Sequence, residues 1–269
     1  MDKAVVKSFR ERGAVVLRDV FKEWIETLRN GVAKNMEAPG PSVRIYKGDD
    51  TIDGDGQFFG DYCNWHRIPE YGDFIFNSSI GEMASQLMGS KTTRLFHEHV
   101  LVKEAKTDVV TPWHQDEPYY CVDAPQNVSV WIPLDDVPRE RSPEFVAGSH
   151  NWGRCFQPER FNGQPLNEND DLEKMPDINA DRSNYDLLGW ALSIGDAIAF
   201  NFRTVHGAPA NTSSSSSRRA FSLRLVGDGA LFSRVPGRVS SPPFNDVELK
   251  DGAPLAGDQF PELYRAEYV

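Results

Sequence analysis

The sequence predicts a mainly β protein with flanking helices, built as a double-stranded β-helix of the jelly-roll, cupin-like type. Three observations predict it. Short apolar strands separated by turn residues recur from about residue 91 to 228. A candidate ligand pair, His114 and Asp116, falls on an early strand, and a third candidate, His206, falls on a late one. Helical periodicity is concentrated before about residue 90.

At 269 residues the chain fits one β-rich unit. It divides into a helical scaffold (about 1–90), a β-helix core (about 91–228) and a wrapping tail (about 229–269). Hydrophobic residues make up 39% of the chain and aromatics 11%, enough for a buried core, which excludes a globally disordered protein. With 40 acidic residues against 29 basic, the formal charge is −11. That balance argues against nucleic acid or an anionic membrane surface as the main partner and leaves a small-molecule substrate. The cysteines, Cys63, Cys121 and Cys155, are far apart and form no C-x-x-C pair, so a reducing compartment is expected. Charges at Asp2, Lys3, Lys7, Arg10, Glu11 and Arg12 interrupt any signal-peptide core, and no apolar run approaches the roughly 20 residues of a membrane span. The expected location is cytoplasmic.

Taken in order, Val5, Val6 and Phe9 have helical spacing, Gly13 breaks the run, and Ala14 to Leu17 is a short strand. Phe21, Trp24, Ile25, Leu28 and Val32 recur at intervals of three and four, a helix with one buried stripe. Residues 37–56, rich in Gly, Pro and Asp, read as a loop. The aromatic stretch from Phe58 to Tyr71 is neither helical nor alternating and reads as core packing or as a segment closing over a pocket; His66 within it stays outside the ligand set. Ser79 to Met88 is helical. Arg94 to Lys103 is a strand with His97, His99, Leu101 and Lys103 on one face and Phe96, Val100 and Val102 on the other.

Asn127 to Leu134 alternates cleanly, setting Ser129 and Trp131 against Val128, Val130, Ile132 and Leu134. Phe145 to His150 is a short strand entering a turn. Residues 151–188 are polar and irregular, read as a lid or as disorder. Leu192 to Phe202 is a strand broken at Gly195-Asp196, and Ser213 to Ser217 reads as a hairpin tip. In the strand Arg218 to Leu225, Arg218, Ala220, Ser222 and Arg224 share a polar face fit to line a wet cavity. The Pro-rich tail from Arg234 wraps the surface.

The chemistry centres on Pro112-Trp-His114-Gln-Asp116-Glu-Pro118. Residues two apart on a strand share a face, so an imidazole and a carboxylate aim at one point. His206 completes a set of two histidines and one carboxylate that leaves metal positions open, the arrangement suited to non-haem Fe(II) oxygen chemistry. Arg218, downstream of His206, is a candidate anchor for a carboxylate-bearing co-substrate.

Thr111-Pro-Trp-His-Gln-Asp-Glu-Pro-Tyr-Tyr120, Val130-Trp131-Ile-Pro-Leu-Asp135, Gly148-Ser149-His150, Gly195-Asp196 and His206-Gly207 with Arg218 resemble, in this order, the phytanoyl-CoA dioxygenase family of Fe(II)/2-oxoglutarate oxygenases. The resemblance runs over most of residues 5–228. It implies that His114, Asp116 and His206 hold Fe(II), that Arg218 pairs with the distal carboxylate of 2-oxoglutarate, and that O2 is a co-substrate. It also implies that Trp131 sits beside 2-oxoglutarate and that His97 and His99 lie on the strand lining its pocket. Arg218-Arg219-Ala-Phe-Ser favours Arg218 as the anchor, with Arg219 the alternative. Where family members carry Asn-Gly before Gly-Ser-His, this chain has Arg141-Ser142-Pro143-Glu144, so a different turn is expected there. A carboxylate at 116, where halogenating relatives have a small residue, favours hydroxylation, with desaturation, ring closure and epimerisation the other outcomes open to the same iron centre. A non-catalytic cupin-like binding protein is the alternative.

Overall fold

A computed structural model describes residues 1–47, 56–160, 163–167 and 171–267. The chain opens with α1 (Lys3–Arg12), β1 (Ala14–Leu17) and α2 (Ile25–Glu37). Asp2 caps α1 by accepting from the Ala4 amide, and Gly13 ends it at φ 79°, a left-handed conformation that costs glycine little. Two strands follow, β2 (Arg44–Lys47) and β3 (Gln57–Tyr62), then α3 (Pro69–Asn77) and α4 (Ile80–Met88). The expected loop at 37–56 therefore contains a strand, while its residues 48–55 lie outside the described residues. Both strands are hard to read as alternating because β2 is an edge and β3 is buried almost throughout.

The remaining strands are β4 (Thr92–Lys103), β5 (Thr111–His114), β6 (Val122–Asp123), β7 (Asn127–Pro133), β8 (Glu144–Val146), β9 (Leu187–Leu188), β10 (Ala197–Phe200), β11 (His206–Ala208), β12 (Arg218–Val226), β13 (Leu231–Phe232) and β14 (Glu262–Arg265). The larger antiparallel sheet runs β1-β10-β7-β12-β4-β3-β2, with β14 also paired to β4. A smaller one runs β5-β11-β8-β9. These are the two layers of the expected jelly roll.

Period-two alternation decides what each face of the large sheet meets. Val100, Val102, Val128, Val130, Ile132, Phe221, Leu223 and Leu225 point to one side and pack with Phe21, Leu28, Phe74 and Leu87 of the helical segment. The opposite face carries His97, His99, Lys103, Trp131, Arg218 and Arg224 around a cavity shared with the small sheet. Phe96 departs from the expected face. Arg224 pairs with His97 while Leu225 pairs with Leu95, so Phe96 is the extra residue of a bulge, and it joins Phe232, Phe244 and Phe260 instead.

Two further segments, 213–217 and the tail, differ from expectation. Ser213 to Ser217 leads from β11 in the small sheet to β12 in the large one, so it is a crossover between layers. Buried Asn211 ties it down by donating to the carbonyls of Lys103, Glu104 and Ser216. In the 151–188 stretch, residues 161–162 and 168–170 lie outside the described residues, but Phe156 and Ile178 are buried with Val146 and Val205. Gln157, Glu159 and Leu166 of that stretch line the cavity. The tail also enters the interior, since Leu255 and Phe260 are buried and β14 extends the large sheet. Phe260→Ala is expected to cost about 3–5 kcal/mol in denaturant unfolding, as for other buried aromatics, whereas a tail lying only on the surface would lose almost nothing.

Candidate metal centre

His114 closes β5 and His206 opens β11, and the two are paired across the small sheet with ring centroids 4.2 Å apart. Asp116 comes not from the strand, as its spacing implied, but from the turn after it, with helical backbone (φ −72°, ψ −41°) leading into a 3-10 turn at Glu117–Tyr119. Its amide donates to the carbonyl of Phe202, and Gln115 between the ligands donates to the carbonyls of Arg154 and Arg203. Those bonds turn the Asp116 side chain toward the histidines. One donor atom from each of His114, Asp116 and His206 lies within 4.8 Å of the others.

Hydrogen bonds behind the triad settle which atoms face its centre. His114 Nδ1 lies 2.8 Å from the Pro112 carbonyl and His206 Nδ1 lies 2.9 Å from that of Thr204. A carbonyl only accepts, so each Nδ1 carries the proton and each Nε2 keeps its lone pair. These Nε2 atoms stand 3.6 and 3.8 Å from Asp116 Oδ1. The other oxygen, Oδ2, accepts from Ser129 Oγ at 2.8 Å and faces Arg224 Nε at 3.4 Å. Two lone pairs and one carboxylate oxygen thus converge, which fits a divalent first-row ion.

Charge is arranged to match. Burial alone would raise the Asp116 carboxyl, but Arg224, then His114 and His206, hold it well below the ordinary range. Arg224 is itself fixed by Tyr120 Oη at 2.9 Å and Ser222 Oγ at 2.7 Å. Ser129 and Arg224 share the faces that alternation assigned to Trp131 and Arg218, so that signal was present for them. Nothing in the spacing marked Tyr120.

The triad lies in a cavity of about 300 Å³ that also takes in Trp131, His97, His99 and Arg218. His97 Nε2 is buried without a hydrogen-bond partner among the described residues, and His99 stands edge-on to Tyr62. A side chain at Gly60 would bring its Cβ to 3.3 Å from His99 Nε2, so glycine there keeps this wall open. Arg218 is buried and donates to the Arg141 carbonyl; burial, then Arg141, pushes its guanidinium down to about 10. Arg219 points away and grips Asp135 with two bonds, Nε to Oδ2 at 3.0 Å and Nη2 to Oδ1 at 2.5 Å. The geometry thus brings Arg218 to the cavity and leaves Arg219 outside it.

Other candidate residues have structural partners. Ser149 Oγ accepts from the Val205 amide beside His206, and His150 Nε2 lies 3.0 Å from the Arg10 carbonyl, so the Gly-Ser-His turn braces the small sheet. His66 stacks on Trp65. Arg67, Arg154 and Arg203 pair with Asp61, Glu173 and Glu117, and Arg44 lines the cavity.

Buried histidines give the metal-free protein a pH dependence. Burial, then His114, pushes His206 down to about 3; burial, then Arg224, pushes His99 to about 3 and His97 well below its usual range. Glu98 opposes them, since burial pushes its carboxyl up to about 8. Between pH 6.5 and 4.5 the unfolded chain protonates the histidines and the fold does not, while the fold alone keeps the Glu98 proton. Three groups outweigh one, so metal-free stability in urea should fall as pH falls across that window, by at least about 1.4 kcal/mol per unit. A flat profile would show that these rings titrate normally.

Comparison with known proteins agrees with this site. The model of the Phytanoyl-CoA dioxygenase (PhyH) family matches residues 9–220, a span that contains the triad and Arg218. No curated protein matches the chain significantly. Among solved structures, the non-heme alpha ketoglutarate dependent carbocyclase SnoK from nogalamycin biosynthesis is 24% identical, with TM-score 0.74 over 98% of this chain and 96% of that one. The epimerase SnoN in complex with Fe3+, alpha ketoglutarate and nogalamycin RO is 21% identical, with TM-score 0.73 over 97% and 98%. EctD from S. alaskensis with 2-oxoglutarate and 5-hydroxyectoine is 14% identical, with TM-score 0.70 over 95% and 86%. At these identities the likeness establishes a shared jelly-roll fold, and the family match carries the assignment: the chain belongs to the phytanoyl-CoA dioxygenase family of Fe(II)/2-oxoglutarate-dependent oxygenases.

Proposed function

We propose that the protein is a non-haem Fe(II)- and 2-oxoglutarate-dependent dioxygenase that hydroxylates an unactivated C–H bond of a small molecule, releasing succinate and CO2. The observation that carries this reading is the convergence of His114 Nε2, His206 Nε2 and Asp116 Oδ1 in a cavity that also holds the buried Arg218. In it, the triad holds the iron and Arg218 pairs with the distal carboxylate of 2-oxoglutarate. Trp131 flanks the co-substrate, and His99 and His97 line its pocket.

Bound Fe(II) with 2-oxoglutarate and O2 supplies an oxidative decarboxylation whose oxidising power is spent on a substrate C–H bond. The protein's share is placement and exclusion of water. Ser129 and Arg224 hold Asp116 Oδ2, leaving Oδ1 as the inward-facing oxygen. Phe145 and Phe200 pack against the His206 ring, at 5.7 and 4.6 Å between centroids. Asp116 fills the position that halogenation requires to be vacated, which favours hydroxylation. The fold itself is shared with a carbocyclase and an epimerase, so the outcome rests on which substrate C–H bond the outer wall presents.

The acidic balance favours a small-molecule partner over nucleic acid or a membrane surface. No helix among the described residues is long and apolar enough to cross a membrane. We place the protein in the cytoplasm, on the spacing of its free cysteines, and take residues 1–269 as one functional unit.

Anaerobic addition of Fe(II) and 2-oxoglutarate should produce a visible metal-to-ligand absorption band, absent after chelation and restored by Fe(II). His206→Ala should lower O2-dependent succinate formation by at least about 100-fold, because it removes one of three ligands. A protein that only binds ligands would form no succinate above the Fe(II) background, even when screened against candidate substrates.

A further inference from the structure

Two stretches far apart in the chain lie outside both sheets and wall the cavity, Glu159 and Leu166 from one and Val239 and Ser241 from the other. The first folds back on itself: the Leu166 amide donates to the Pro158 carbonyl at 2.8 Å, and the Arg160 amide to that of Gln164 at 2.7 Å. The second is a strap that runs into Phe244 of the aromatic cluster around Phe96 and Phe260.

Tyr119, in the 3-10 turn that follows Asp116, holds the tips of both. Its hydroxyl accepts from the Glu159 amide at 2.9 Å and donates to the Glu159 carbonyl at 2.6 Å. Its own carbonyl accepts from the Ser241 amide at 2.7 Å, and its ring stands edge-on to His114 with centroids 5.9 Å apart. Asn167, 7% exposed, joins the two stretches directly. Its Oδ1 accepts from the Val239 amide at 2.7 Å, and its Nδ2 donates to the Val239 carbonyl at 3.5 Å. A buried side-chain amide is costly to leave unpaired, so separating the stretches here carries a penalty. The strap also meets β3, but through Tyr62 Oη and Ser241 Oγ at 3.4 Å, long for two hydroxyls. Its hold is therefore concentrated at Tyr119 and Asn167.

We propose that Tyr119 and Asn167 latch these stretches into one cover over the metal centre, which opens as a unit to admit ligands and whose closed position is set by the iron-binding turn. Tyr119 is then a positioning residue, with its ring on the ligand His114 and its hydroxyl on the cover. Phenylalanine would keep the ring and lose both hydroxyl bonds, since that oxygen alone serves as acceptor and donor. Only the kinetic readout below rests on the co-substrate reading given above.

The experiment compares wild type, Tyr119→Phe, Asn167→Ala and Asn167→Asp. Hydrogen exchange of the Glu159, Val239 and Ser241 amides is followed by NMR in the metal-free proteins. Tyr119→Phe removes the acceptor of Glu159 alone, and Asn167→Ala that of Val239 alone. In a single latched unit each variant should speed all three amides by at least about tenfold, the size of one lost buried hydrogen bond, with exchange in β7 and β12 unchanged. Asn167→Asp keeps the acceptor and should recover part of the loss. In stopped-flow mixing of Fe(II)-loaded protein with 2-oxoglutarate, read by the visible band, Tyr119→Phe should raise association and dissociation rates together by at least about threefold. The affinity should stay within about twofold, because a cover that favours neither the empty nor the loaded site shifts no equilibrium.

Faster exchange at only the amide whose own acceptor was removed would show two independent stretches and overturn the proposal. Faster exchange in β7 and β12 as well would overturn it by reducing Tyr119 and Asn167 to general supports of the fold. Unchanged 2-oxoglutarate rates beside a loosened cover would overturn its role in admitting ligands. Absence of the band in wild type would overturn the co-substrate reading alone, because the exchange pattern is read without metal.

Discussion

Asp116 is a carboxylate almost wholly withdrawn from water, held by Ser129 at one oxygen and faced there by Arg224. An isolated buried carboxylate would take up a proton, and the site would lose its negative donor. Arg224 prevents this, and it can only do so because Tyr120 and Ser222 fix its own position. The centre is therefore a chain of polar contacts running from β12 through the turn after β5, and each link depends on the large sheet and the small sheet keeping their relative placement.

That placement is set by the division of labour within the large sheet. Valine, leucine and phenylalanine on one face bind it to the helices; arginine, histidine, lysine and tryptophan on the other make the cavity. A slip of one residue in β12 would exchange the two sets and turn Phe221, Leu223 and Leu225 into the wet space. The hydrophobic contact with the helices thus also fixes the register of the functional face. At the rim of the sheet, Gly195 at φ 100° accepts from the amides of Val20 and Phe21, and Asp196 accepts from those of Asp19 and Ser193. The Gly-Asp break in the late strand is this junction.

Much of this was legible in the sequence because alternation is local. The faces of β7 and β12 followed directly from Ser129, Trp131, Arg218 and Arg224, and the spacing of His114 and Asp116 named two donors before their backbone was known. What was hidden depended on pairing between distant segments. Phe96 changes face because of a bulge visible only against β12. Asp116 reaches the triad through a turn fixed by Phe202, far along the chain. Lys103 reads as one more polar strand residue until Arg218 is placed opposite it, and β14 shows no strand pattern apart from its partner β4.

The family model matches residues 9–220, and beyond that span Val239, Ser240, Ser241 and Pro243 form part of the cavity wall. They are carried on a segment whose anchor, Phe260 with Phe244 and Phe96, is separate from the main core. The chamber is thus walled by two separately anchored parts of the chain: the metal-binding residues hang on the two sheets, and the 239–243 segment hangs on its own aromatic cluster, so a substitution that loosens that cluster would disturb the wall and leave the triad in place.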